Sequence, residues 1–289
     1  MSAPTQLGFI GLGQMGGPMA ENISGFGLPL HVFDAAGTTE RTPAAGLACE
    51  SVDDVAAKAE TIFLSLPDGP VSCAVAGAIA ASANRVTTVI VDLSTVGPDA
   101  ARQAGEICAA AGITYIDAPV SGGALGAKAG SITIMWAGPE AEFTRHQPVM
   151  ASFSKNQFHV GDQPGQGQAL KILNNFLSAT AMAATSEAML FGLSQGLDMK
   201  VMLDVVNVST GQNSASLDKF PKRILTETYD AGFKSALMAK DVKLYYENTR
   251  AAHTPGDVGG LISKLWNSFD EAQPGSDFTR VFEFIRDRN

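Results

Sequence analysis

Gly11-Leu12-Gly13-Gln14-Met15-Gly16 is a G-x-G-x-x-G placed directly after the short apolar run Gly8-Phe9-Ile10, and it constrains the fold more than any other feature of the chain. Apolar residues at Met15, Met19 and Ile23 follow at helical spacing, so the glycines lie on a strand-to-helix turn. In that setting the first glycine permits the tight turn. The second lets backbone approach a pyrophosphate, and the third lets helix and strand pack closely. The phosphates would rest on the unpaired amides of the helix N-terminus. A second apolar run, Leu30–Phe33, ends at Asp34, 18 residues past Gly16. A carboxylate there bonds both ribose hydroxyls and repels a 2′-phosphate, which favours NAD. An aspartate after a strand is also an ordinary turn former, and Arg41 stands near enough in sequence to meet a 2′-phosphate. The expected cofactor is therefore NAD, with NADP as the alternative, held by Gly11, Leu12, Gly13, Gln14, Met15, Gly16 and Asp34.

Further β-branched runs occur at Ile62–Leu64, Val89–Val91, Thr114–Ile116 and Ile132–Trp136, separated by alanine-rich stretches of helical length such as Ala100–Ala111. Strands alternating with helices imply βαβ units and a parallel, doubly wound sheet covered on both faces. After Gly161 the pattern changes. Gly165-Gln166-Gly167 opens a stretch with apolar residues at Ile172, Phe176, Ala179 and Ala183, predicting one helix over Gln168–Phe191, on the order of 35–45 Å long. Only helical segments follow, at Val201–Val208, Ser235–Arg250, Val258–Phe269 and Phe278–Arg288. The expected architecture is α/β: a Rossmann-type domain over residues 1–163 and an all-α domain over residues 164–289 that begins with the long helix.

Composition removes several function classes. Of 289 residues, 45% are hydrophobic and 17% charged, which is far from a disordered chain. The net charge of −9 provides no basic footprint for nucleic acid or anionic lipid. Cys49, Cys73 and Cys108 are odd in number and lack CxxC spacing, as suits a reduced cytoplasm. The most apolar windows, such as Ala74–Ala83, are runs of about ten small residues, short of the ~18 that a membrane span needs. The first residues carry no secretory signal pattern. His31, His146, His159 and His253 show no ligand spacing, so no metal site is expected.

Loops at the carboxyl ends of parallel strands are where such sheets bind ligands, which singles out Leu66-Pro67 and Ser94-Thr95; a proline turn and a helix cap explain them equally well. Ser121-Gly122-Gly123 offers a hydroxyl and two flexible amides, a cradle for a carboxylate or else a plain loop. Lys171 and Asn175, four residues apart near the start of the long helix, share a face. An ammonium beside an amide suits a carbinol-to-carbonyl step in which the lysine carries the proton. Spacing alone fits a solvated lysine just as well.

Four segments together resemble the β-hydroxyacid dehydrogenase family, which includes 3-hydroxyisobutyrate dehydrogenase and tartronate semialdehyde reductase. They are Gly8–Asn22, Asp117–Gly123, Gly167–Asn175 and the pair Lys240-Asp241, in the family's order. The resemblance implies an NAD(P)-dependent enzyme acting on a small carboxylate-bearing hydroxy acid, assembled as a homodimer or homotetramer. It implies Lys171 as catalytic acid/base, Ser121, Gly122 and Gly123 on the substrate carboxylate, and Asn175 and Asn174 close by. Thr95 and Lys240 are implied at the nicotinamide half of the cofactor. Two positions depart from the family pattern. Val71 stands where some relatives carry an asparagine cofactor contact. Gln212 and Ser214 stand where relatives acting on 3-hydroxyisobutyrate tend to have arginine and tryptophan, which implies a roomier pocket without that cation. Imine reductases share the architecture but usually lack a lysine at the position of Lys171. A non-catalytic dinucleotide-binding protein is the other alternative.

Overall fold

The computed structural model describes residues 4–288. It divides into two compact units, one ending at Lys171 and the other beginning at Ile172.

The first unit is built on one sheet. Its strands are β1 (Leu7–Ile10), β2 (Leu30–Phe33), β3 (Gly46–Ala48), β4 (Thr61–Leu64), β5 (Val89–Asp92), β6 (Thr114–Asp117), β7 (Val120–Ser121), β8 (Ile132–Ala137) and β9 (Ser154–Gly161). They lie in the order β3-β2-β1-β4-β5-β6-β8-β7, with β9 paired to β8. Strands β1 to β6 run parallel, whereas β8 is antiparallel to both β6 and β7. The order 3-2-1-4-5-6 reverses direction between β1 and β4, and the carboxyl ends of strands at such a reversal form a ligand crevice.

Strands β1, β4 and β5 are buried at every position, because helices cover both faces and leave no polar side to the alternation. One face packs Phe63 between Phe9 and Phe153, with ring centroids 6.3 and 6.0 Å away. The other packs Ile62 and Ile90 against Ala76, Ala101 and Ala104 of the flanking helices, whose small side chains bring helix and sheet close. Three strands carry little apolar signal. β3 is a three-residue edge strand, β7 has two residues, and β9 reads Ser-Lys-Asn-Gln-Phe-His-Val-Gly with no residue but Ser154 fully buried. β9 is held by backbone pairing to the apolar β8 rather than by its own side chains.

The second unit is helical. The long helix covers Gln166–Ser194, 29 residues, or about 43 Å. Although the chain has no unbroken apolar run of membrane length, this helix is long and apolar enough, by length and composition, to cross a membrane. In the structure its residues Ala179, Met182, Ala183 and Met189 join Trp266, Phe269 and Phe220 in the core of the helical unit. Helices at Met199–Val206, Ser235–Ala251, Asp257–Ala272 and Val281–Arg286 complete the packing. The unit also contains a helix at Ala215–Ile224 with the wider π hydrogen-bond pattern, as in Leu225 N–H to Phe220 O at 2.9 Å. Pro221 stands inside it and Asn213 caps it, its Oδ1 accepting from the amides of Ala215 and Ser216.

Candidate active site

The glycine turn sits at the β1/β4 reversal. A Cβ on Gly11, which has φ +96°, would lie 2.2 Å from the Ser65 carbonyl oxygen, and one on Gly16 would lie 1.8 Å from the Gly11 carbonyl oxygen. Both glycines are therefore required by the protein itself. At Gly13 a Cβ would meet nothing within 4 Å, and Gly13 and Gln14 are exposed. Open space above a backbone that evidently has room for a side chain is what a pyrophosphate lying on that backbone needs. The residues present fit a dinucleotide.

Asp34 shapes this turn. Its Oδ2 accepts from the Leu12 amide at 2.6 Å and its Oδ1 from the Ala36 amide at 2.8 Å. The Arg41 guanidinium lies 3.6 Å away and is partly exposed. Turn former and candidate ribose ligand are thus one residue, with a cation beside it.

The loops after β4, β5 and β6 are cross-linked. The Leu66 amide donates to Ser94 Oγ at 2.8 Å, and the Ser94 amide donates to Asp92 Oδ1 at 2.9 Å. Asp92, fully buried at the end of β5, also accepts from Ser72 Oγ (2.7 Å) and the Tyr115 hydroxyl (3.0 Å). Leu66-Pro67 and Ser94-Thr95 therefore belong to one rigid rim. Val71 is partly exposed, with its amide capped by Asp68, and takes no part in that rim.

Asp117 ends β6 directly beside Asp92 in register. Its two oxygens accept from the amides of Gly165 (2.9 Å) and Gln168 (2.8 Å), so a strand-end carboxylate caps the long helix from outside it. The approach is so close that a Cβ on Gly167 would lie 2.6 Å from Met135 O and 2.8 Å from Asp117 Oδ2. This explains the glycine in Gly165-Gln166-Gly167. Burial pushes the Asp117 carboxyl up to about 7; the two amide donors pull against that rise, and neighbouring Asp92 adds to it. Four residues beyond Asp117, Ser121 closes the short strand β7 opposite Thr133, and Gly122 and Gly123 follow with φ +137° and +64°.

Lys171 stands in the second turn of the capped helix and is buried, 7% exposed. A lysine is almost never buried without a specific partner or task. On the same helix, in the second unit, Asn174 Nδ2 donates to Asn175 Oδ1 (3.1 Å), and Asn175 Nδ2 donates to Asp241 Oδ2 (2.5 Å). Asp241 is 2% exposed and also lies 3.4 Å from the Lys240 ammonium. Gln212 and Ser214 are exposed on the segment before the π helix, and Gln212 Nε2 donates to Asn207 O. The structure thus brings Lys171 onto the same framework as the Thr95 and Ser121–Gly123 loops within the first unit. Asn174, Asn175 and Lys240 cluster within the second.

Asp92 stands in none of the sequence motifs, and Asp117, Gln168 and Asp241 enter only as members of the family-like segments, without the capping and bridging contacts they make in the structure. Their signal was faint: polar residues at strand ends or inside a helix, each a position that normally faces solvent. Burial pushes the thiols of Cys49 and Cys108 up to about 11 and 12, so neither offers a thiolate.

Residues 6–161 match the family model described as the NAD-binding domain of 6-phosphogluconate dehydrogenase, and residues 165–285 match that of NADP-dependent 3-hydroxyisobutyrate dehydrogenase. The chain is 39% identical to 2-(hydroxymethyl)glutarate dehydrogenase of Eubacterium barkeri over 270 residues, covering 92% of this chain and 89% of that protein. It is 34% identical to 3-hydroxyisobutyrate dehydrogenase of Pseudomonas aeruginosa, across 99% and 100% of the two chains. Among solved structures, 3-hydroxyisobutyrate dehydrogenase of Mycobacterium tuberculosis with L-serine superposes with a TM-score of 0.90 at 29% identity, covering 99% and 100%.

Proposed function

The chain belongs to the β-hydroxyacid dehydrogenase family and is an NAD(P)-dependent oxidoreductase of small hydroxy acids; from that premise we propose that its substrate is a 2-substituted 3-hydroxypropionate and that Lys171 carries the proton. The relatives' names point to the substrate. 2-(Hydroxymethyl)glutarate, 3-hydroxyisobutyrate and L-serine all contain HOCH2–CH(R)–COO⁻ and differ only in R. The reaction is then reversible interconversion of the primary alcohol and the semialdehyde.

The bound nicotinamide supplies the hydride acceptor or donor. The dinucleotide would be held by Gly11 to Gly16 with Asp34 and by Leu66-Pro67 and Thr95 on the rim, and the family resemblance adds Lys240. Asp34 favours NAD through the ribose hydroxyls, while Arg41 beside it accommodates NADP. Ser121 Oγ and the amides of Gly122 and Gly123 bind the substrate carboxylate, which places the carbinol carbon at a fixed distance from the anchor. The Lys171 Nζ takes the hydroxyl proton as the alcohol is oxidised and returns it to the carbonyl oxygen in reduction. Asn175, oriented by Asp241, holds substrate or lysine in register, with Asn174 behind it. With Gln212 and Ser214 in place of arginine and tryptophan, R is larger than methyl and need not be anionic. The enzyme works in the cytoplasm as a homodimer or homotetramer; exposed Phe191, Val201, Val205 and Val208 offer apolar surface for subunit contact.

The burial of Lys171 on a helix capped from β6 carries this reading. A panel of hydroxypropionates differing in R, alongside lactate-type 2-hydroxy acids, assayed separately with NAD and NADP, tests the substrate class. Turnover should be confined to the HOCH2–CH(R)–COO⁻ members. Lys171→Ala should lower kcat by about 10²–10⁴-fold while NADH still binds. Wild-type turnover in that variant would remove the acid/base assignment.

A further inference from the structure

Gln168 is the most completely buried polar side chain at the start of the long helix, 0% exposed, and the reaction as described makes no use of it. Its Oε1 accepts from two consecutive amides, Val96 (2.9 Å) and Gly97 (3.2 Å), and its Nε2 donates to the Ser94 carbonyl at 3.0 Å. The carboxamide therefore reads the backbone on both sides of Thr95. Its orientation is set by the network, because the reversed amide would face two N–H donors with a third. The Gln168 backbone amide meanwhile donates to Asp117, four residues upstream of Ser121. One residue thus joins three parts: the loop carrying Thr95, the strand end leading to Ser121–Gly123, and the helix on which Lys171 stands one turn later.

We propose that Gln168 is a positioning residue for the reaction, its buried carboxamide locking the Ser94–Gly97 loop onto the helical turn that presents Lys171. The inference rests on the reading of Lys171 as the acid/base. It adds that the distance between the nicotinamide-contacting loop and the proton-carrying amine is set by this one side chain. Simple helix capping needs only the backbone amide of Gln168; nothing about capping requires its side chain to hold a loop some seventy residues away in sequence.

Three full-length variants test it. Gln168→Met keeps the volume and removes all three bonds. It should lower kcat about a hundredfold, the scale of a 1 Å misplacement, with the KM of the hydroxy acid changed by less than about threefold. Amide exchange at Val96 and Gly97 should accelerate at least tenfold in the cofactor-free protein, while Val89–Asp92 stay protected. Gln168→Glu is the rescue. Its carboxyl, when protonated, is an isostere of the amide, accepting from Val96 and Gly97 and donating to Ser94 O. When ionised it turns an oxygen on that carbonyl. Its kcat relative to wild type should therefore rise as pH falls. Asp117, Asp92, Tyr115, Arg102 and Lys171, the charged or titratable groups around this network, are common to both proteins, so the ratio reports the new carboxyl together with its coupling to them.

Wild-type kcat with unchanged exchange at Val96 and Gly97 in Gln168→Met would overturn the proposal. If that variant does not fold, a fully active Gln168→Glu with a pH-independent ratio would do the same. Lys171→Ala, measured alongside, separates the two ideas. Wild-type turnover there sinks the acid/base reading, whereas the exchange data report on the Gln168 clamp whether or not that reading survives.

Discussion

At the scale of single residues, the glycine turn divides cleanly between folding and binding. Gly16 is demanded by the fold, since a methyl there would collide with the Gly11 carbonyl, whereas Gly13 faces open space. Gly16→Ala should therefore lose about 1–3 kcal/mol of stability, read by urea unfolding without cofactor. Gly13→Ala should unfold within about 0.5 kcal/mol of wild type yet bind NADH about tenfold more weakly, read by fluorescence titration. The reverse pattern, a destabilised Gly13 variant that binds normally, would show that the motif serves only the turn. Asp34 illustrates the opposite economy, with one carboxylate that closes the turn through Leu12 and Ala36 and is also the proposed ribose ligand.

At the scale of elements, the contact that matters most is the capping of the long helix by Asp117. Because its carboxyl sits near 7 when folded and near 3.9 in an unfolded chain, the folded state keeps its proton over a pH range where the unfolded state has lost it. By linkage this residue's contribution to stability falls as pH rises from about 4 to about 7 and is level above, a change on the order of 4 kcal/mol. Asp117→Asn removes that titration and loses one of the two amide bonds. Denaturation of both proteins across pH 4–8 should show the wild-type advantage shrinking toward neutrality; parallel curves would contradict it. Legibility differed by element for physical reasons. The buried strands β1, β4 and β5 are apolar throughout, and Gln166–Ser194 keeps helical spacing over most of its length, so both were readable. Strand β9 is polar and held by backbone pairing, and the helix at Ala215–Ile224 contains Pro221, which in an α-helix marks a break but is accommodated in the π pattern. Of the site, the glycine turn and the Lys171 segment were visible as motifs. The carboxylates and amide that hold them, Asp92, Asp117 and Gln168, matter through long-range contacts that no local spacing encodes.

At the scale of the whole molecule, the proposed homodimer or homotetramer would give the 30.1 kDa chain a partner for the exposed Phe191 and Val208 of its helical unit. Light scattering should give about 60 or 120 kDa, two or four copies, and Val205→Glu with Val208→Glu should shift it toward 30.1 kDa; an unaltered monomeric mass in the wild type would contradict the assembly. The proposed chemistry needs one buried amine to move the proton while a separate loop anchors the substrate's carboxylate. Rescue of Lys171→Ala by small alkylamines tests it most directly. Turnover should return in proportion to the concentration of free amine, with no change in NADH affinity. A variant that binds NADH and hydroxy acid normally but stays inactive at every amine concentration and size would contradict it.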